Sequence, residues 1–298
     1  MLQFRPIALS DRDMVQGYLR EKDIPGDQYS FGNLFIWRNV YHAEICEEEG
    51  FLYVKSGPPG DYDFMCPMGS GDLKAAVNKL REWCRENGCH FRMRWVPANE
   101  KALLETLFPG MLQITSDRDH ADYIYERERL RTLAGRKLQS KRNFVNRIKK
   151  QNWSYEPITL ENMPECQQVQ QAWCRENNHC VEGGPKEESC AVQQAFRHFY
   201  DLGFSGGCVR LDGKVIAYTM GEPLNSDTFI VHIEKALSGI PGAYPLINQQ
   251  FVEHAMDGFS YVNREDDTGD EGLRKAKLSY DPYRLFEDYV IEFAREEG

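Results

Sequence analysis

The chain has 298 residues, 41% of them hydrophobic and 12% aromatic, enough to bury the core of one large domain or two ordinary ones. A net charge of −10 and a pI near 5.3 exclude a general nucleic-acid coat but leave room for a local anion site. No apolar run nears the roughly 18–20 residues of a membrane span, the start "MLQFRPIALSDRDM" lacks a secretory pattern, and nine irregularly spaced cysteines fit reduced thiols, so a cytoplasmic location is expected.

In chain order, "ALSDRDMVQGYLREK" reads as a helix capped by Ser10, with Asp13 three residues on. "YHAEICEE" and "FLYVKSG" read as paired strands, and "GDLKAAVNKLREWCREN" as a helix. "HFRMRWV" alternates as an edge strand with solvated Arg92 and Arg94 beside Trp95. A short helix "ANEKALLETLF", a strand near residues 111–115, and "ADYIYERERLRTLAG" lead into a basic helix. The same grammar then restarts: strand "WSYEPIT", helices "ENMPECQQVQQAWCREN" and "KEESCAVQQAFRHFYDLG", then strands "GGCVRLDG", "KVIAYTMGE" and "DTFIVHIEKA". The loop "LSGIPGAYP" opens the helix "LINQQFVEHAMDG". The strand "FSYVNRED", a helix around "EGLRKAKLSY" and a closing strand "RLFEDYVIEF" complete it. Hairpins with interleaved helices indicate a mixed α/β (α+β) fold, and the repeated element order places a domain boundary near residues 120–135.

The basic helix, "GRKLQSKRNFVNRIKK", belongs to a stretch from 131 to 150 with eight Lys or Arg and no acidic residue. At 100° per residue, Leu138, Phe144, Val145 and Ile148 share an arc that includes Lys141, with Lys137 at its edge. Either the helix is solvated and its lysine stems cover core, or Lys141 and its neighbours turn into a crevice and hold an anion. Gly239 and Gly242, after a strand and before a helix, allow backbone N–H groups to approach a phosphate or pyrophosphate; a plain turn has the same pattern. In a regular strand His232 and Glu234 share one face, as a general base and its orienting partner or as a structural pair. Lys277 and Tyr280, on the helix after Gly269 and Gly272, can donate to phosphate or carbonyl oxygen. Cys166, Cys174, His179, Cys180, Cys190 and His198 match no usual zinc spacing, so no metal is expected.

Four ordered motifs, "YIYERERLRTLAGRKLQSKRNFVNRIKK", "LDGKVIAYTMGE", "HIEKALSGIPGAYPLINQQF" and "NREDDTGDEGLRKAKLSYDP", together resemble a bacterial family related to the catalytic C-terminal domain of phosphatidylglycerol lysyltransferases. The resemblance spans nearly the whole chain and is strongest from about Tyr123. It implies two tandem acyl-CoA N-acyltransferase (GNAT)-like domains, residues 1–125 and 126–298, with the basic helix 136–150 at their junction. It also implies acyl or aminoacyl transfer. On the family's pattern an Asp and an Arg stand where this chain has His232 and Lys235, a Lys and an aromatic where it has Lys277 and Tyr280, and polar residues at Asn263 and Glu265. His232 changes the charge there, so lysyl or phosphatidylglycerol specificity is not carried over.

The resulting expectation is an aminoacyltransferase with its site in the second domain. His232, Glu234, Glu265, Lys277 and Tyr280 are the expected catalytic set: His232 or Glu265 takes the acceptor's proton, and Lys277 with Tyr280 stabilises the oxyanion. Lys141, Arg142, Asn143, Gly239, Gly242, Ala243 and Tyr244 would hold donor phosphates, and Lys235, Asn263 and Arg274 would position substrate. No cofactor is expected to be tightly bound; the donor is aminoacyl-tRNA or acyl-CoA. The acceptor is a small molecule, lipid headgroup or peptide, with the tRNA acceptor end as a possible partner. The alternatives are an acyl-CoA-dependent N-acetyltransferase, against which Pro241 removes one N–H donor, and a catalytically silent binding protein.

Overall fold

The computed structural model describes residues 2–176 and 186–294. The chain forms two compact units, residues 1–121 with 286–298, and residues 122–285.

The first unit is built on an eight-stranded sheet. Its order is Arg5–Pro6, Glu44–Glu48, Phe51–Ser56, Asp63–Phe64, Arg92–Pro97, Asp288–Phe293, Leu112–Ser116, with Met68–Gly69 paired to Phe51–Ser56. The helix Leu73–Glu86, capped by Asp72, lays Ala76, Val77, Leu80 and Trp83 onto a core with Phe51, Phe64 and Met93. Four sequence expectations change here. The first helix is Arg12–Lys22, preceded by a 3-10 turn, and Asp11 rather than Ser10 takes the local backbone bond, accepting from Ala8 N–H at 2.8 Å. A further helix, Phe31–Tyr41, starts at Ser30, whose hydroxyl accepts from the Asn33 N–H. The strand Arg92–Pro97 is interior, between Asp63–Phe64 and Asp288–Phe293, and Arg92 and Arg94 are ion-paired to Asp63. The expected closing strand divides in two: Arg284–Phe286 belongs to the second sheet and Asp288–Phe293 to the first.

In the second unit a seven-stranded sheet runs Arg284–Phe286, Asp122–Glu126, Tyr261–Asn263, Thr228–Ala236, Lys214–Pro223, Ser205–Leu211, Trp153–Pro157. Ala217 and Tyr218 are consecutive on one strand and so point to opposite faces. Ala217 joins a core with Leu246, Ile247 and Phe251 of the helix Ala243–Ala255 and with Leu138, Val145 and Ile148 of the basic helix, Gln139–Ile148. Tyr218 faces the helices Met163–Glu176 and Lys186–Arg197, donating to Gln170 at 2.6 Å and packing on Phe196. From Asp122–Glu126 across to Trp153–Pro157 the neighbouring strands are antiparallel except Thr228–Ala236 with Tyr261–Asn263, which run parallel for three residues, Thr228, Phe229 and Ile230. Among the described strands, residues 231–236 continue paired only with Lys214–Pro223, and Arg264 and Glu265, just past Asn263, meet this stretch through their side chains. Both sheets are mixed, mainly antiparallel and flanked by helices, the architecture expected of two tandem GNAT-like domains.

Candidate active site

The strand Thr228–Ala236 carries a bulge: Ile233 pairs with Met220 but Val231 with Gly221, so His232 is the extra residue. A bulge resets the two-residue alternation, and the expected His232–Glu234 pair does not form. His232 packs on Phe204 and bonds Glu265 through Nδ1 at 2.8 Å and Glu222 through Nε2 at 3.2 Å. Glu234 instead accepts from Asn248 of the helix Ala243–Ala255 at 2.9 Å and from Arg264 at 2.8 Å.

The His232 side chain is 1% exposed. Burial works against its charged form, but hydrogen bonds to Glu222 and Glu265 and their negative charge prevail, and its pKa is pushed up to about 9. At neutral pH it is an imidazolium with no lone pair to spare, which corrects the expectation that it serves as general base.

Residues 264–267 leave the sheet where the parallel ladder ends. Glu265 holds a left-handed backbone, φ 57°, fixed from three sides. Its N–H donates to Asn263 Oδ1 at 2.6 Å, its carbonyl accepts from Lys277 and from the Tyr123 N–H, and its carboxylate meets His232. Lys277 spends its three N–H donors on the carbonyls of Arg264, Glu265 and Asp266. It therefore shapes the loop and has no donor left for an oxyanion. Asn263, buried against Asp122, and Arg274, bidentate on the buried Asp267, are likewise structural.

The consecutive residues Arg264 and Glu265 part ways, Glu265 to His232 and Arg264 to a second cluster. The Arg264 guanidinium lies 4.6 Å from the ring centre of the buried Tyr280 and 5.6 Å from that of Tyr125. Its Nη2 is fixed on Glu234, whereas Nη1 is buried with no hydrogen-bond partner, as is Oδ1 of Asn248. Lys141 reaches the same ring from the basic helix, 3.8 Å from the Tyr280 centre, and donates to Ser279 Oγ at 2.7 Å. Lys141 thus turns toward Tyr280, half-buried, without the neighbours expected to turn in with it. Burial, then the Arg264 charge, push its pKa down to about 8 against the pull of Glu234.

The other basic-helix and loop residues divide between structural and exposed. Arg142 donates to the carbonyls of Leu133 and Gly135, closing the end of the preceding helix, so it is not free for a phosphate. Asn143 is exposed, with Arg136, Arg147 and Lys150. Gly242, at φ 100°, leaves 3.0 Å between a hypothetical Cβ and Phe144 of the basic helix, so its missing side chain serves packing. The Ala243 N–H bonds to the Ile240 carbonyl, Gly239 faces open space at φ 78°, and the Tyr244 hydroxyl accepts from Trp173 Nε1. Lys235 points to that same Trp173, 3.7 Å from its ring, and pairs with Glu188. Among the described residues no group of three or more His, Cys, Asp or Glu could hold a metal; His179 and Cys180 lie outside them. No described helix is long and apolar enough to cross a membrane.

Sequence reasoning missed Arg264, Asn248 and Glu222. Arg264 stood inside the quoted "NREDD" stretch, and nothing local separates it from its charged neighbours.

The sequence profile of the family described as "Phosphatidylglycerol lysyltransferase, C-terminal" matches residues 21–292. A conserved protein of unknown function from Bacteroides thetaiotaomicron is 39% identical, over 99% of this chain and all of that one, with a TM-score of 0.93. L-PGS from Bacillus licheniformis shares the fold at 13% identity over 96% of this chain and 93% of its own, TM-score 0.66. FemX does so at 9% identity over 97% of each chain, TM-score 0.66.

Proposed function

Because this chain belongs to the phosphatidylglycerol lysyltransferase C-terminal family, we propose that it is an aminoacyltransferase whose active centre is the Glu234, Asn248, Arg264, Tyr280 and Lys141 cluster of the second unit. The observation that carries this reading is the unspent Nη1 of Arg264. A guanidinium held by a carboxylate and an aromatic ring, with donors still unused, is preorganised for an ester carbonyl whose oxygen gains charge during acyl transfer. The donor is an aminoacyl-tRNA. The acceptor, an amine or hydroxyl, bonds to the carbonyl carbon; the carbon–oxygen bond to the ribose breaks, and the acceptor's proton ends on the ribose oxygen.

The exposed Arg136, Arg147 and Lys150 are suited to phosphates of the tRNA. The loop at 239–244 counts against an acyl-CoA donor, since Pro241 has no N–H, the Ala243 N–H is occupied and Gly242 is pressed against Phe144.

The test incubates the protein with radiolabelled bulk aminoacyl-tRNA and a pool of small-molecule, lipid and peptide acceptors. Transfer of label above spontaneous hydrolysis, lost in Arg264→Gln, is the expected result. No retention of aminoacyl-tRNA on filters at low salt, and no transfer, would remove this donor.

A further inference from the structure

We propose, building on the aminoacyl-transfer reading, that Lys141 is a catalytic residue: its side-chain amine takes the proton from the attacking acceptor and returns it to the leaving ribose oxygen. Three geometric facts support this.

First, Lys141 and Arg264 contact one ring, at 3.8 and 4.6 Å from the Tyr280 centre, so the two groups are at most 8.4 Å apart, within the span of one aminoacyl ester and its acceptor. Second, the amine is oriented. Ser279 Oγ donates its own proton to the Ala276 carbonyl at 2.5 Å, so toward Lys141 it acts as acceptor and fixes one N–H. The remaining valences of the nitrogen are left for a ligand, two N–H bonds when charged, or one N–H and a lone pair when neutral. Third, among the described residues no carboxylate is bonded to it, so only the Tyr280 ring face and the Glu234 charge favour its ammonium form, against burial and the Arg264 charge. Glu234, the carboxylate of the cluster, is already bonded by Arg264 and Asn248. Asp281 is taken by Lys137 and Arg129. The groups on other elements that act on it are the Arg264 cation, the Glu234 carboxylate and the Tyr280 ring, with the Ser279 hydroxyl as its hydrogen-bond partner. On the same helix the nearby cation Arg142 is turned to carbonyls. A lysine so placed loses its proton near pH 8, close to the value at which a proton carrier works best at neutral pH.

The step balances. The acceptor nitrogen or oxygen forms its bond to the carbonyl carbon while neutral Lys141 gains the acceptor's proton. When the carbon–oxygen bond to ribose breaks, the Lys141 ammonium returns that proton to the ribose oxygen and is neutral again.

Two measurements on the full chain test the inference. Competitive labelling with trace dinitrofluorobenzene, read by peptide mapping across pH 6–11, should show Lys141 titrating near pH 8 and the surface Lys214 near the ordinary value of a lysine. Transfer from aminoacyl-tRNA should fall roughly 100-fold or more in Lys141→Arg, which keeps the charge but does not give up a proton, while filter retention of aminoacyl-tRNA stays at the wild-type level. Lys141→Arg transferring within a few-fold of wild type, or Lys141 labelling like Lys214, would overturn the inference while leaving the aminoacyl reading standing. Absence of transfer by the wild type would overturn both.

Discussion

A buried imidazolium between two carboxylates makes stability depend on pH in a direction that can be worked out beforehand. The perturbation is His232→Gln, which keeps a polar side chain and removes the titration. In the folded protein the imidazole pKa is about 9 against an ordinary 6.5. Each pH unit across that interval is worth about 1.4 kcal/mol, so the full linkage is about 3 kcal/mol. Because the folded value is raised, the contribution is complete below about pH 6.5 and lost as pH rises through about 9. Lys141 works in the opposite sense between about 8 and 10.5, but it is common to both proteins and drops out of the difference. Urea unfolding of wild type and His232→Gln from pH 6 to 9.5 should therefore give a stability gap that shrinks by about 3 kcal/mol across the range. A gap that stays flat would mean that His232 is neutral in the fold, and the ionic link from the bulged strand to residues 264–267 would have to be abandoned.

Gly242→Ala should destabilise by about 1–2 kcal/mol from the left-handed backbone alone, more if Phe144 and Ile148 do not yield, measured by thermal unfolding. Lys277→Met removes the lysine donor from the Arg264 and Asp266 carbonyls, while the Glu265 carbonyl keeps the Tyr123 N–H, and should cost roughly 3 kcal/mol in urea, with catalysis lost through the loop rather than through contact with substrate. Asp267→Ala removes the carboxylate that accepts from Arg274 and from the Tyr123 hydroxyl and should cost about 3 kcal/mol in urea. Retention of aminoacyl-tRNA should weaken roughly 20- to 40-fold between 50 and 200 mM salt if Arg136, Arg147 and Lys150 each neutralise one phosphate, and the slope should flatten in the triple alanine variant.

What could be read from the sequence was whatever depends on nearby residues. Helical arithmetic put Lys141 on the apolar arc with Leu138, Val145 and Ile148, and the structure has it there, because a helix repeats without reference to its neighbours. The expected His232–Glu234 pair failed because a bulge belongs to two strands at once, and neither strand alone announces it. Arg264 acquires its meaning from Glu234, thirty residues earlier, and from the Tyr280 ring sixteen residues later. Arg92–Pro97 looked like an edge because its second partner, Asp288–Phe293, follows about 190 residues downstream. Lys277 has the composition of an oxyanion donor, yet the carbonyls of residues 264–266 converge on it only once the loop has formed.

The strand Asp288–Phe293, lying between Arg92–Pro97 and Leu112–Ser116, also separates the order of synthesis from the order of completion. As the nascent chain leaves the ribosome, residues 1–121 emerge first but have a gap in their sheet, with the flanks of two strands unpaired and open to wrong partners. Every strand of the second sheet, Arg284–Phe286 included, and the whole cluster around Arg264 are made before that gap can be filled. The unit begun first is thus the one finished last, and a ribosome stalled just after Phe286 would present an open edge in the first sheet when every strand of the second has already been made.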